Sequence, residues 1–259
     1  MNISQRIHPT AIVATSASLG KEVEVGPYSI IDDRVTVGEG CRISNHVTLR
    51  SGTTLGENCT VFPGVVIGEI PQDLKFQGED SVVEIGSNVI IREYVTIHRG
   101  SATRGKTVIS DGCYLMAYAH VAHDCFIGEE TILVNGVQLG GHVDILDHSF
   151  LGGHVVVHQF SKIGSFALIG GGYRVVKDVP PYIIAAREPL TFSGVNVVGL
   201  KRVGFSNQLI RNLKEAFRLL YRSSLNTSQA LEEIRRTIPE SVEISNVLSF
   251  VENSERGII

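Results

Sequence analysis

An aliphatic residue recurs at every sixth position of this chain, and few folds tolerate that spacing. Steps of six from Ile7 land on Val13, Leu19, Val25 and Ile31 and continue unbroken to Ile67. The phase slips across residues 68–84, resumes at Ile85, Ile91 and Ile97, slips again near 99–108, and then runs from Ile109 to Val175. All 26 positions reached this way are Ile, Leu or Val. Neither the 3.6-residue period of a helix nor the two-residue period of a strand sets residues six apart on one long face. A triangular coil does. If each hexad supplies one short strand and one turn, three hexads close an 18-residue coil, and every aliphatic residue points at the axis.

Other positions of the hexad fit the same geometry. Gly follows the aliphatic residue at positions 20, 26, 38, 56, 86, 128 and 164, where sharp corners are expected. Four places after it stand small or β-branched residues such as Ala11, Val35, Val47 and Ala119. Cys41, Cys59, Cys113 and Cys125 all occupy that slot, with no CxxC pair, and are expected to be reduced core residues. The two slips are expected to be loops ejected from the prism, the usual place for function. Asp178-Val-Pro-Pro-Tyr182 should end the prism, giving a β-helix over 1–182 with ejected loops near 68–84 and 99–108. An α-helical domain over 190–259 should follow: Leu209, Leu213, Phe217 and Leu220 share one helical face, and further helices are expected at 228–238 and about 241–254.

Composition narrows the function. With 23 basic and 27 acidic residues the net charge is -4, so nothing favours nucleic acid. The start, MNISQRIHPT, lacks an apolar signal core, and no run of 18 uncharged apolar residues occurs, so neither secretion nor a transmembrane segment is expected. Six of the nine histidines fall within residues 120–158. The 18-residue coil puts His123, Gly141 and Gln159 in one vertical column, with Asp124 and His142 stacked beside it and His120 nearby. An imidazole, a glycine N–H free of any side chain and a carboxamide so gathered make a workable acyl-transfer site. The imidazole takes the acceptor's proton and the N–H holds a tetrahedral oxyanion. A lone histidine at such a turn, His46 or His148 for example, reads instead as merely exposed. The sequence has no Ser nucleophile elbow and no Cys outside a core slot, so direct attack without a covalent intermediate is expected.

Six strings, I-P-Q-D-L-K (70–75), V-T-I-H-R-G (95–100), A-H-V-A-H-D-C (119–125), V-V-H-Q-F (156–160), D-V-P-P-Y (178–182) and G-V-N-V-V-G-L-K-R-V-G-F (194–205), closely resemble the UDP-N-acetylglucosamine O-acyltransferase family. The resemblance spans essentially the whole chain. It implies a left-handed coil, an exception to the usual right-handed crossover, and so a left-handed parallel β-helix followed by an α-helical C-terminal domain. It further implies a cytoplasmic homotrimer with active sites between prisms, moving a (3R)-hydroxyacyl group from acyl carrier protein to the 3-position of UDP-N-acetylglucosamine, the first step of lipid A synthesis, with no cofactor. By the same resemblance His123 is the general base, supported by Asp124, and Gly141 the oxyanion donor. Asp73 and Lys75 contact sugar and phosphate. His98, His120, His142, His158 and Gln159 are further substrate contacts, Asn196 and Arg202 contact the nucleotide, and Gly171 leaves room for a long acyl chain. Val198 and Val203 depart from the family, standing where many members have an acidic residue and a second Arg. Uridine recognition must therefore differ in detail.

Alternatives stay open at this point. Some relatives acylate a 3-amino sugar, and His123 serves an amine equally well. The N-acyltransferase acting later in the pathway carries an additional N-terminal domain, for which a repeat beginning at Ile7 leaves no room. A zinc site like that of γ-class carbonic anhydrases is disfavoured because H-V-A-H lacks their H-x₄-H spacing, and no metal is expected. A structural β-helix would present flat Thr-rich faces, unlike this irregular surface. Finally, Lys201, Arg202, Arg211, Lys214, Arg218 and Arg222 stand against a single acid, Glu215, within 201–222, a basic face suited to an acidic carrier protein.

Overall fold

A computed structural model describes residues 6–259, so the first five residues of the span expected for the prism lie outside the described residues. Among the described residues, short strands alternate with turns and assemble into three sheets of eleven, nine and eight strands. Each strand pairs in parallel with the one a full coil later: His120 sits opposite Gln138, and Gln138 opposite Val156. The strands are mostly two residues long, one facing in and one out, as in Phe126–Ile127 and Ile132–Leu133. The inward residues from Ile31 to Val175 are at most 3% exposed and form one continuous aliphatic column. Burying each of these Ile, Leu or Val side chains contributes roughly 1.5–3 kcal/mol. This is a left-handed parallel β-helix, with the four cysteines free and buried in its core.

The corners differ from the sequence expectation in one respect. The glycines directly after the aliphatic residue do not turn the chain; the left-handed residue lies two places further on. It is usually not glycine: Tyr28, His46, Asp124, His142 and Phe160 all have φ between 56° and 64°. Such conformations cost an L-residue about 1–2 kcal/mol. They are compensated by contacts to the adjacent coil, as where the N–H of His142 donates to the His123 carbonyl at 3.0 Å and its ring stacks 4.5 Å from Phe160. Glycine is required at the earlier place because coils pack so closely there. A Cβ on Gly38 would lie 2.5 Å from the Gly56 carbonyl of the next coil. Stacking distance, not turning, selects these glycines.

Both ejected segments leave from the same prism edge. One separates the strands Val66–Glu69 and Val82–Ile85, the other Thr96–His98 and Lys106–Ile109. Parallel pairing resumes across both, Val66 opposite Thr96 and Thr96 opposite His120. Beyond Val175 the strand Ile183–Ala186 extends the eleven-stranded sheet and turns back as the antiparallel strand Thr191–Val195, a hairpin the hexad pattern does not announce. Helices α1 (Val197–Arg202), α2 (Asn207–Arg222), α3 (Thr227–Thr237) and α4 (Val242–Glu252) follow. Ser206, Asn226 and Ser241 cap the last three by accepting a backbone N–H. In α2, Leu213 and Phe217 are buried as the periodicity requires, and Phe192 of the hairpin stacks on Tyr221 at 4.7 Å. Ser254 donates to Asp178 at 2.7 Å and ties the C-terminus back to the prism. No helix among the described residues is long and apolar enough to cross a membrane.

Candidate active site

The edge that ejects both loops also carries the histidine cluster. A cavity of about 630 Å³ there is lined by Asp73 and Lys75 of the first loop, Thr103 of the second, and His98, His120, His123, Gly141, His142 and Gln159 of four successive coils. Eight of the thirteen residues singled out from the sequence line it or, with Asp124 beneath, nine surround it. The remaining four lie elsewhere on this chain. His158 is exposed next to Gln159, with Nδ1 2.9 Å from the Gln159 carbonyl oxygen. Gly171 stacks on Gly153, on the edge that follows the eleven-stranded sheet. Asn196 caps α1 by accepting from the Gly199 N–H and donates to the Phe166 carbonyl, so its amide is already engaged. Arg202 is exposed in the last turn of α1.

The centre of the cavity is a histidine–aspartate pair. Nδ1 of His123 lies 2.7 Å from Oδ2 of Asp124, whose carboxylate is wholly buried. Burial is the largest influence on that carboxyl and pushes its pKa up. The Ser101 hydroxyl, His123 and the Ser101 N–H push it down and prevail, so Asp124 is held below the usual aspartate value and is charged. A charged acceptor at Nδ1 places the imidazole proton there and leaves the Nε2 lone pair without a partner among the described residues. The ring of His123 lies directly against Gly141: a Cβ on that glycine would sit 2.6 Å from both Cε1 and Nε2. Gly141 itself is buried, and no acceptor among the described residues takes its N–H. A buried, unspent N–H beside a basic nitrogen is what an oxyanion donor needs.

The flanking imidazoles are kept neutral. Burial lowers the pKa of His120, with further lowering by His98 and His123, to about 4, and burial likewise lowers His98. His120 shares a 2.7 Å hydrogen bond with Thr96, and its ring meets His98 edge-on at 4.9 Å. Burial also lowers His142, against the opposing charge of Asp124. At neutral pH these rings offer hydrogen bonds and add no positive charge to the cavity.

Ligand atoms of His123, Asp124 and His142 come within 4.8 Å of one another, a spacing a metal site would share. The donor chemistry does not fit one. Oδ1 of Asp124 accepts from the Ser101 and Arg104 N–H groups, Oδ2 accepts from the Ser101 hydroxyl and faces His123, and Nδ1 of His123 is spent on Oδ2. Sequence reasoning did not find Ser101, Arg104 or Thr107, whose hydroxyl accepts the Asp124 N–H at 2.9 Å. The available signal was their position in or beside the second slip of the hexad phase.

The whole chain is similar to one group of proteins. Residues 178–259 match the family described as UDP-N-acetylglucosamine O-acyltransferase, domain 2, and residues 16–51 match the bacterial transferase hexapeptide repeat. An acyl-[acyl-carrier-protein]–UDP-N-acetylglucosamine O-acyltransferase of Halorhodospira halophila is 43% identical over 255 residues, covering 98% of this chain and 99% of that protein. A protein of the same description from Thermodesulfovibrio yellowstonii is 47% identical over 253 residues, covering 97% and 98%. The crystal structure of a UDP-N-acetylglucosamine acyltransferase from Bacteroides fragilis superposes with a TM-score of 0.96 at 45% identity, covering 97% of this chain and 99% of that one.

Proposed function

This chain belongs to the UDP-N-acetylglucosamine O-acyltransferase family, and on that premise we propose that its histidine-lined cavity moves a (3R)-hydroxyacyl chain from acyl carrier protein to the 3-hydroxyl of UDP-N-acetylglucosamine, the first step of lipid A biosynthesis. The observation that carries this reading is the His123 ring lying against Gly141 with Nδ1 committed to a buried, charged carboxylate. Nε2 takes the proton of the 3-hydroxyl as its oxygen attacks the thioester carbonyl. The negative charge that develops on the carbonyl oxygen is met by the Gly141 N–H. Collapse of the tetrahedral adduct breaks the carbon–sulfur bond, and the imidazolium returns the proton to the departing thiolate. Asp124 keeps the imidazole in the correct tautomer throughout.

Asp73 and Lys75, brought over the cavity by the first loop, suit the sugar and its phosphates, with His98, His120, His142 and Gln159 completing the acceptor pocket. His158, exposed next to Gln159, would meet the substrate outside that lining. Arg202 and Asn196 serve the nucleotide end. Val198 and Val203 are 63% and 51% exposed and their side chains offer uracil no hydrogen bond, so uridine is read by other groups. The working unit is a homotrimer in the cytoplasm, where its donor and nucleotide sugar are found. In support, the eleven-stranded sheet turns Ile90, Tyr114, Ile132, Phe150 and Leu168 outward, an apolar stripe suited to a second copy. Gly171 borders that stripe on a different edge from the cavity, so the acyl chain leaving the cavity of one prism would run along Gly171 of a neighbouring copy. Carrier protein docks on α2, whose Arg211, Lys214, Arg218 and Arg222 line one cavity with a single acid, Glu215.

The test is incubation with (3R)-hydroxyacyl-acyl carrier protein and either UDP-N-acetylglucosamine or its 3-amino analogue, followed by mass spectrometry. An alkali-labile ester from the first acceptor is expected. Transfer only to the amine would assign the chain to the N-acylating variant instead.

A further inference from the structure

The second ejected loop is built around the catalytic carboxylate. Three of the four hydrogen bonds that the described residues make to the Asp124 carboxylate come from it: the N–H groups of Ser101 and Arg104 to Oδ1, at 2.9 and 3.2 Å, and the Ser101 hydroxyl to Oδ2 at 2.6 Å. The loop is itself anchored. The Arg104 guanidinium donates to the Asp124 carbonyl at 2.9 Å and pairs with Asp144, and the Gly105 N–H closes back on the Ser101 carbonyl at 2.7 Å. Ser101 is 8% exposed. Its hydroxyl and the Nδ1 of His123 therefore share one oxygen of a fully buried carboxylate.

Resting on the reading of His123 as general base, we infer that Ser101 is a positioning residue that sets the basicity of that histidine. A hydroxyl donating to Oδ2 draws charge away from His123 and weakens the carboxylate as a partner for imidazolium. Removing the hydroxyl concentrates charge on Oδ2, favours the protonated ring, and raises the pH below which the base is lost. The other groups around His123 are unaltered by this change. They are Asp124 at its own corner, His98 and His120 on the neighbouring strands, His142 one coil on, Asp73 and Lys75 from the first loop and Arg104 from the second. The Ser101 and Arg104 N–H groups still hold Oδ1, so the carboxylate stays in place.

The experiment compares wild type, Ser101→Ala and Ser101→Thr in the intact enzyme. Two quantities are measured: the pH profile of kcat/KM, and the His123 titration followed by NMR of ¹³C-labelled histidine, assigned by its loss in His123→Ala. For Ser101→Ala the acidic limb and the His123 titration should both move up by about half to one pH unit. At pH 7 kcat should fall by no more than about three- to tenfold, the loss vanishing at alkaline pH, while KM for the sugar nucleotide holds. Ser101→Thr, which keeps the hydroxyl, should restore both limb and titration. A His123 titration unmoved in Ser101→Ala overturns the inference, and so does a fall in kcat without a shift of the limb. Failure of the underlying reading is separately visible, since His123 would then shift in Ser101→Ala while the activity profile ignored it.

Discussion

His123→Ala is expected to lower kcat by about 10³-fold or more while the protein stays folded. A positioned general base supplies roughly 10²–10⁴-fold, and no other side chain in the cavity offers a lone pair oriented by a buried carboxylate. The neighbouring rings cannot substitute: Nδ1 of His120 is engaged with Thr96, and His142 lies 3.7 Å from Asp124 with its ring stacked flat on Phe160. Folding should survive because the imidazole lies outside the aliphatic column and Asp124 retains its donors from the second loop. Unchanged melting and oligomeric state, measured beside the steady-state rate, separate the two effects. Activity within tenfold of wild type would remove His123 from the chemistry.

Gly141→Ala should be nearly as damaging, for a steric reason. The new methyl would stand 2.6 Å from two ring atoms of His123, so the imidazole must shift by a substantial fraction of an ångström. A displacement of that size costs about 10²-fold when it moves a reacting group. Gly141 does not need a positive φ, so an alanine backbone fits and the coil should form normally. The double variant with His123→Ala tells how the loss arises. If alanine acts by pushing the ring, Gly141→Ala should cost less than about threefold once the ring is gone, because the effects of groups that work as a unit do not add. An undiminished 10²-fold loss in that background would show that the alanine damages the site by some route other than the ring.

Much of this arrangement was legible before any coordinates, because a repeat converts sequence distance into spatial distance. Once an 18-residue coil is accepted, His123, Gly141 and Gln159 must stack, and they do line one cavity. The cysteines read correctly for the same reason. What the repeat leaves silent is whatever departs from it. The glycines after each aliphatic position suggest the corner but do not turn it, since sequence does not distinguish a glycine needed for left-handed φ from one needed for close stacking of backbones. The hairpin Ile183–Val195 carries no hexad phase. Ser101 and Arg104 lie where the phase is lost, so nothing in their spacing relates them to Asp124; only the folded loop does. Asn196 shows the opposite limit. A motif match points to a nucleotide contact, and no spacing reveals that its amide also caps α1 and binds the Phe166 carbonyl.

All of the chemistry depends on one distance, from Nε2 of His123 to the acceptor oxygen. A crystal structure of the protein with UDP-N-acetylglucosamine measures it. The sugar 3-oxygen should lie about 3 Å from Nε2 of His123, with Nδ1 still facing Asp124 and the Gly141 N–H open toward the space the thioester carbonyl will occupy. A 3-oxygen more than about 5 Å from Nε2 with no bridging water, or a ring turned so that Nε2 meets Asp124 instead, would contradict the account.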